Sequence, residues 1–185
     1  SLGLVGSEMC IRDSLCVLFA FLYTTGPYPL SYNGWGDILV IVFFGFVPVG
    51  GTYYVQALTW TTDTTIASLI CGLLIDTLLV VNNYRDREAD ARSGKRTVIV
   101  RFGEKFGSYL YLMLGMTASL LCFWFLFEGH LYAALLPLLY LIPHFLTWKR
   151  MVRIHSGKKL NSILGETSRN MLLMGILLSI GFFLN

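Results

Sequence analysis

The sequence predicts an all-α membrane protein, a polytopic bundle of transmembrane helices. Three observations carry that prediction. Hydrophobic residues fill 55 % of the 185 positions and charged residues only 14 %, against about 25 % charged in a soluble domain. The apolar residues gather in runs close to the ~20 residues that a helix needs to cross a bilayer. The 14 Lys and Arg lie between those runs: seven from Arg85 to Lys105, five from Lys149 to Lys159, then Arg169, with only Arg12 elsewhere.

Taken in order, residues 1–14, "SLGLVGSEMCIRDS", show no sustained period and are too polar for a signal-peptide core. They read as a non-native leader, and residues 15–185 as the membrane domain. The natural chain is then expected to extend upstream of about Leu15. Leu15 to Tyr23 is too short to span and reads as the tail of a helix. "TTGPYPLSYNGWG" is a loop broken by two prolines and three glycines. Spans follow from Asp37 to about Gln56, Thr64 to Asn83, Phe106 to Phe127, Leu131 to Trp148 and Asn170 to Leu184. That makes about six helices, the first partial. Pro48, Pro137 and Pro143 fall inside spans and predict kinks, because neighbouring helices can re-satisfy the freed carbonyls.

The topology can be checked against charge. The loops near residues 24–36, 84–105 and 149–167 share one face and hold 12 Lys and Arg; the loops near 57–63 and 128–130 share the other and hold none. Basic loops mark the cytoplasmic side. The same clustering excludes the basic stripe of a nucleic-acid-binding domain. Cys10, Cys16, Cys71 and Cys122 are scattered, without metal-ligand spacing. No Ser-His-Asp, Cys-His or nucleotide-loop pattern appears. His130 reads as a loop residue, His144 as a packed one and His155 as solvated.

The segment "NNYRDREADARSGKRT", Asn82 to Thr97, carries the chemistry. The helix beginning near Thr64 is expected to run past the membrane surface to about Ser93, with Gly94 as its stop. At about 100° per residue, Asn82, Asp86 and Asp90 lie on one stripe and Asn83 within about 20° of Asp90. Such neighbours have Cβ atoms about 5–6 Å apart. Mg²⁺ dehydrates reluctantly and is held by one or two carboxylates plus substrate phosphates. Asp86 and Asp90 suit that partial shell, and Arg85, Lys95, Arg96 and Arg101 suit phosphate oxygens. The same pattern equally suits a solvated, salt-bridged helix end with positive anchors.

These residues resemble the second Asp-rich motif of the UbiA-type intramembrane prenyltransferases. The form N-N-x-R-D-x-x-x-D-x-x-x-G-K-x-[ST] is that of the 1,4-dihydroxy-2-naphthoate polyprenyltransferases. "YTTGPYPLSYNGWGDILVIVFFGFVPVGGTYYVQ", Tyr23 to Gln56, resembles that group's loop and fifth helix. "VRFGEK", Val100 to Lys105, resembles the start of its seventh. The resemblance covers residues 20–185 and implies the C-terminal two-thirds of a nine-helix fold. It implies a Mg²⁺-dependent transferase of menaquinone biosynthesis in the bacterial inner membrane, with its active site facing the cytoplasm. Polyprenyl diphosphate would ionise to an allylic cation, the naphthoate ring would attack it, and the ring carboxylate would leave as CO₂, giving demethylmenaquinone. Asp86 and Asp90 fall on the motif carboxylates, Asn82, Asn83 and Arg85 on their flanking residues, and Lys95 on the Gly-Lys.

Two departures stand out. The family's first Asp-rich motif is absent, and Asp37, Asp63 and Asp76 stand alone, so this chain would hold half of the metal site and is not expected to turn over by itself. Asp76 lies inside a span, where a carboxylate is costly and points to function. Its spacing from Asn83 turns it the same way, about 10 Å deeper, toward a substrate pocket or a pairing with a neighbouring helix. Tyr53 and Tyr54 suit either an aromatic belt or a π-face for an allylic cation. Other acceptors, such as 4-hydroxybenzoate, remain an alternative, as does a non-catalytic membrane protein. A CDP-alcohol phosphotransferase would need a D-G step that is missing.

Overall fold

The computed structural model describes residues 10, 14, 17–23, 25 and 29–184. The leader expected over residues 1–14 lies almost wholly outside the described residues. Residues 17–23 are helical, and a short 3-10 turn at Leu30–Tyr32 follows. The remaining elements are α1 (Gly36–Ala57), α2 (Thr62–Arg92), α3 (Val98–Phe102), α4 (Glu104–Phe127), α5 (Leu131–Ile154) and α6 (Leu160–Phe183). No strand occurs among the described residues. Five of the helices, all except α3, are long and apolar enough to cross a membrane.

Helix α2 is the axis of the bundle and packs against α1, α3, α4 and α6. Its start is fixed locally: the Thr61 hydroxyl accepts the Thr64 amide at 3.2 Å, and Asp63 sits in the first turn, where the helix dipole favours an acid. Its stop is Gly94, at φ 78°, a left-handed turn that glycine adopts without a Cβ penalty. The 31 residues between run about 46 Å at 1.5 Å each, so the last turns project beyond a hydrocarbon layer of ~30 Å. This is the extension the sequence predicts. Its apolar part, with Ile70, Leu73, Val80 and Val81, is buried in the core together with Tyr111, Phe125 and Met174.

The three prolines expected to kink their spans lie in three different settings. Pro48 lies within a π-helical stretch, Ile41–Gly50. Proline cannot donate a backbone bond and crowds the carbonyl four residues back. That carbonyl, on Phe44, accepts the Cys71 thiol at 3.7 Å. Pro137 lies in a 3-10 stretch, Leu136–Tyr140, and Pro143 in the first turn of the regular helix that follows.

The last helix differs from expectation. It begins at Leu160, ten residues before Asn170. Hydropathy cannot detect a turn that lies outside lipid. The signal was amphipathic instead: Leu160, Ile163, Thr167, Asn170 and Met174 form one buried stripe at helical spacing. Helix α5 likewise runs on to Ile154 and buries Met151.

Two close approaches set the geometry. A Cβ on Gly45 would stand 2.5 Å from the Ser68 carbonyl oxygen and 2.8 Å from the Gly72 Cα, and one on Gly72 would stand 2.9 Å from the Ile41 Cα. Small residues let helix backbones in lipid approach this closely. Gly115 of α4 meets the His144 ring, which stacks on Tyr111 at 4.6 Å and shares a 2.9 Å hydrogen bond with the Tyr140 hydroxyl. His144 is thus a packed core residue, as its sequence context suggested.

Candidate functional site

The three loops of the basic face, near residues 24–36, 84–105 and 149–167, meet at one end of the bundle. The Arg96 amide donates to the Tyr32 carbonyl at 2.7 Å, and the Arg101 guanidinium to the Asn33 carbonyl at 2.8 Å. His155, in the α5–α6 turn, pairs with Glu104 at the start of α4. His155 is therefore not merely solvated; it ties two loops together.

At this end the projecting turns of α2 carry the motif. Arg85 grips Asp86 through Nε at 2.7 Å and Nη2 at 2.6 Å. The same guanidinium donates to Asn82 Oδ1 at 2.7 Å and to Asn161 Oδ1 of α6 at 2.9 Å. Lys95 Nζ stands 3.5 Å from Asp90 Oδ1, and its amide donates to the Asp90 carbonyl at 2.9 Å. The spacing G-K-x-T now has a local cause. Gly94 turns the chain, Lys95 swings back to Asp90, and the Thr97 hydroxyl caps α3 by accepting the Val100 amide at 3.3 Å.

The two carboxylates differ. The Asp86 side chain is 39 % exposed, whereas that of Asp90 is 14 % exposed. Asp90 Oδ2 is buried and has no hydrogen-bond partner among the described residues. An unpaired buried carboxylate oxygen is costly, and a hard cation or its bound water would satisfy it. No cluster of three or more His, Cys, Asp or Glu forms among the described residues. The chain thus offers two carboxylates, with amides and cations beside them, a donor set that fits Mg²⁺ shared with substrate phosphates.

A second cluster braces the first. The Tyr84 hydroxyl donates to Glu104 Oε1 at 2.6 Å, and Arg87 Nη2 lies 3.2 Å from Glu104 Oε2. Arg87 also donates to the Tyr84 carbonyl at 2.6 Å. Sequence reasoning passed over Asn161 and Glu104. Both act across long separations in the chain, and no local pattern signals them.

Deeper in the bundle, Asp76 is 1 % exposed and its Oδ1 has no partner among the described residues. The α1–α2 register shows what it faces. Moving one turn along each antiparallel helix takes the contact from Gly45 on Ser68 to Ile41 on Gly72. One further turn sets Asp37 opposite Asp76. The two carboxylates are close enough to interact, and Tyr23 interacts with both. Tyr23 also lines a cavity of about 560 Å³ walled by Phe19, Leu39, Val40, Phe43 and Phe44. This is within the size range of small-molecule pockets.

Tyr53 and Tyr54 lie elsewhere. Tyr53 lines a cavity with Thr61, Asp63 and Phe182, at the opposite end of α2. From Asp63 to Asp86 is about 35 Å along the helix. Asp63 accepts the Trp124 indole N–H at 2.8 Å, and the His130 ring packs edge-on against Phe182.

A helical bundle with five helices long and apolar enough to span a membrane, whose central helix carries carboxylates, carboxamides and cations at one end, defines a class: polytopic membrane proteins with a charged site at the mouth of the bundle. Within that class, the chain belongs to the UbiA prenyltransferase family, whose model it matches over residues 14–183. It is 34 % identical over 179 residues to a 1,4-dihydroxy-2-naphthoate octaprenyltransferase of Haemophilus influenzae, covering 92 % of this chain and 56 % of that protein. To the protein of the same name from Escherichia coli it is 33 % identical over 185 residues, covering 95 % and 57 %. To that of Mycobacterium tuberculosis it is 41 % identical over 110 residues, covering 60 % and 38 %. The chain thus spans little more than half the length of the first two relatives. No solved structure matches it significantly.

Proposed function

We propose that this chain forms part of a Mg²⁺-dependent polyprenyltransferase that alkylates 1,4-dihydroxy-2-naphthoate. The buried Oδ2 of Asp90, without a partner among the described residues while Lys95 stands at Oδ1, carries the reading. The names of the relatives support the choice of acceptor over 4-hydroxybenzoate.

Asp86 and Asp90 would hold the metal. When bound, Mg²⁺ neutralises charge on the diphosphate and so assists its departure. Arg85, Lys95 and Arg101 bind phosphate oxygens, with Asn82 and Asn83 orienting them through amide contacts. The prenyl C1–O bond breaks and its electron pair leaves with the diphosphate. The ring carbon that bears the carboxylate then forms the new C–C bond. The bond to the carboxylate breaks, CO₂ departs and its electron pair restores the aromatic ring, giving the quinol form of demethylmenaquinone. Asp76, with Asp37 and Tyr23, would accept or donate hydrogen bonds to the acceptor's hydroxyls, while the neighbouring apolar cavity excludes water. The polyprenyl chain would lie in or beside the bilayer. The basic loops support a bacterial inner-membrane location with this end in the cytoplasm.

The test is Asp86→Ala in the full-length protein. Prenylation that depends on Mg²⁺ should disappear, while folding, read by thermal unfolding, stays intact. Full activity in that variant would refute the assignment.

A further inference from the structure

A second polar cleft lies between α5 and α6, apart from the motif on α2. It has a volume of about 470 Å³ and is lined by Lys149, Arg150, Arg153 and Arg169, with Glu166 and Asn170 at its base. Glu166 is the only acid in that lining, and both of its oxygens are engaged. Oε1 accepts from Arg150 Nη1 at 2.7 Å and Oε2 from the Thr147 hydroxyl at 3.3 Å. The buried Asn170 amide in turn donates to Thr147 at 3.0 Å. The floor is thus a closed, neutralised network. The surplus charge stands above it, since Arg153 and Arg169 have no ion-pair or hydrogen-bond partner among the described residues. Lys149 rests over the Phe145 ring at 4.7 Å.

The surroundings are apolar on the side away from the loop. Pro143 and Leu146 complete the wall, and Ile142, Leu146 and Leu172 are 63 %, 56 % and 65 % exposed in helices that span the membrane. Such residues suit contact with acyl chains. The cleft therefore sets cations that have no partner among the described residues beside an exposed apolar wall. That combination suits an amphiphile with an anionic head, and basic pockets between transmembrane helices bind anionic headgroups in this way. A soluble phosphate would use the cations and leave the apolar wall unused.

We propose that the α5–α6 cleft binds the phosphate headgroup of an anionic phospholipid, its acyl chains lying along the exposed leucines of α5 and α6.

The experiment is a titration of the detergent-solubilised full-length protein with phosphatidylglycerol and with phosphatidylcholine, read by native mass spectrometry. Phosphatidylglycerol should bind preferentially. Each Arg near an anionic headgroup contributes about a factor of five, so R153Q/R169Q should weaken phosphatidylglycerol binding roughly 25-fold and leave phosphatidylcholine unchanged. R153K/R169K, which restores the charge, should bind within a few-fold of the parent. Equal binding of the two lipids, or an unweakened R153Q/R169Q, overturns the proposal. So does inorganic diphosphate binding as tightly as phosphatidylglycerol with the same sensitivity to R153Q/R169Q, because the site would then serve a soluble anion. If R153Q/R169Q does not fold, the lipid selectivity of the parent and of R153K/R169K decides. Asp86→Ala should leave phosphatidylglycerol binding intact, so failure here is separable from failure of the prenyltransferase reading.

Discussion

Arg85 holds both carboxylate oxygens of Asp86, at 2.7 and 2.6 Å. The same planar group reaches Asn82 and, across to α6, Asn161. One side chain therefore sets the orientation of the exposed carboxylate and ties the mouth of the bundle together. A lysine carries the charge but cannot make this fork. Arg85→Lys should lower kcat/KM for prenyl transfer about 10- to 100-fold, corresponding to loss of one charged hydrogen bond of about 1.5–3 kcal/mol. Steady-state assays over a range of Mg²⁺ concentrations check this, and a wild-type rate would show that the fork is dispensable.

Asp86 and Asp90 should respond differently to the amide substitution. Asp86 shares both oxygens with Arg85, whereas Asp90 has one oxygen without a partner among the described residues. Asp90→Asn should weaken Mg²⁺-dependent binding of a non-hydrolysable prenyl diphosphate analogue by at least about tenfold, the scale of one charged contact. Asp86→Asn should weaken it less, because Arg85 already offsets part of the parent carboxylate's charge. Calorimetry at fixed analogue concentration measures both, and the reverse order would assign the principal ligand to Asp86.

Asp76 should affect the acceptor and not the donor. It sits about 15 Å deeper than Asp86 along α2, opposite Asp37 on α1. Asp76→Asn should raise KM for the naphthoate about tenfold, the scale of one strong hydrogen bond, and leave KM for the prenyl diphosphate unchanged. Unaltered constants for both substrates would reduce Asp76 to a packing role.

The α1–α2 crossing should tolerate no extra carbon. A Cβ at Gly45 meets the Ser68 carbonyl at 2.5 Å and the Gly72 backbone at 2.8 Å. Backbone atoms cannot move aside as the end of a side chain can. Gly45→Ala should cost about 1–3 kcal/mol through overpacking, seen as a lower unfolding temperature in detergent. Gly175→Ala, where an added Cβ meets nothing within 4 Å, is the matching control and should be neutral.

Much of this protein could be read directly from its sequence. Lipid imposes a length and an apolarity on every span, so four of the five spans fall within a few residues of their expected starts, and the stop at Gly94 follows from its left-handed turn. The stripe of Asn82, Asp86 and Asp90 also follows from periodicity alone, because one helix carries all three. What only the tertiary structure decided is everything that crosses between helices. Leu160, not Asn170, begins α6, since burial against neighbours stabilises a turn too polar for hydropathy to find. Asn161 reaches Arg85, Glu104 gathers Tyr84, Arg87 and His155, and Tyr53 lies an entire membrane thickness from the carboxylates. Asp76 meets Asp37 because two glycines bring α1 and α2 into one particular register. Periodicity fixes the face a residue occupies on its own helix, but the residue it meets depends on how close the neighbouring backbone can come, and that is a property of packing.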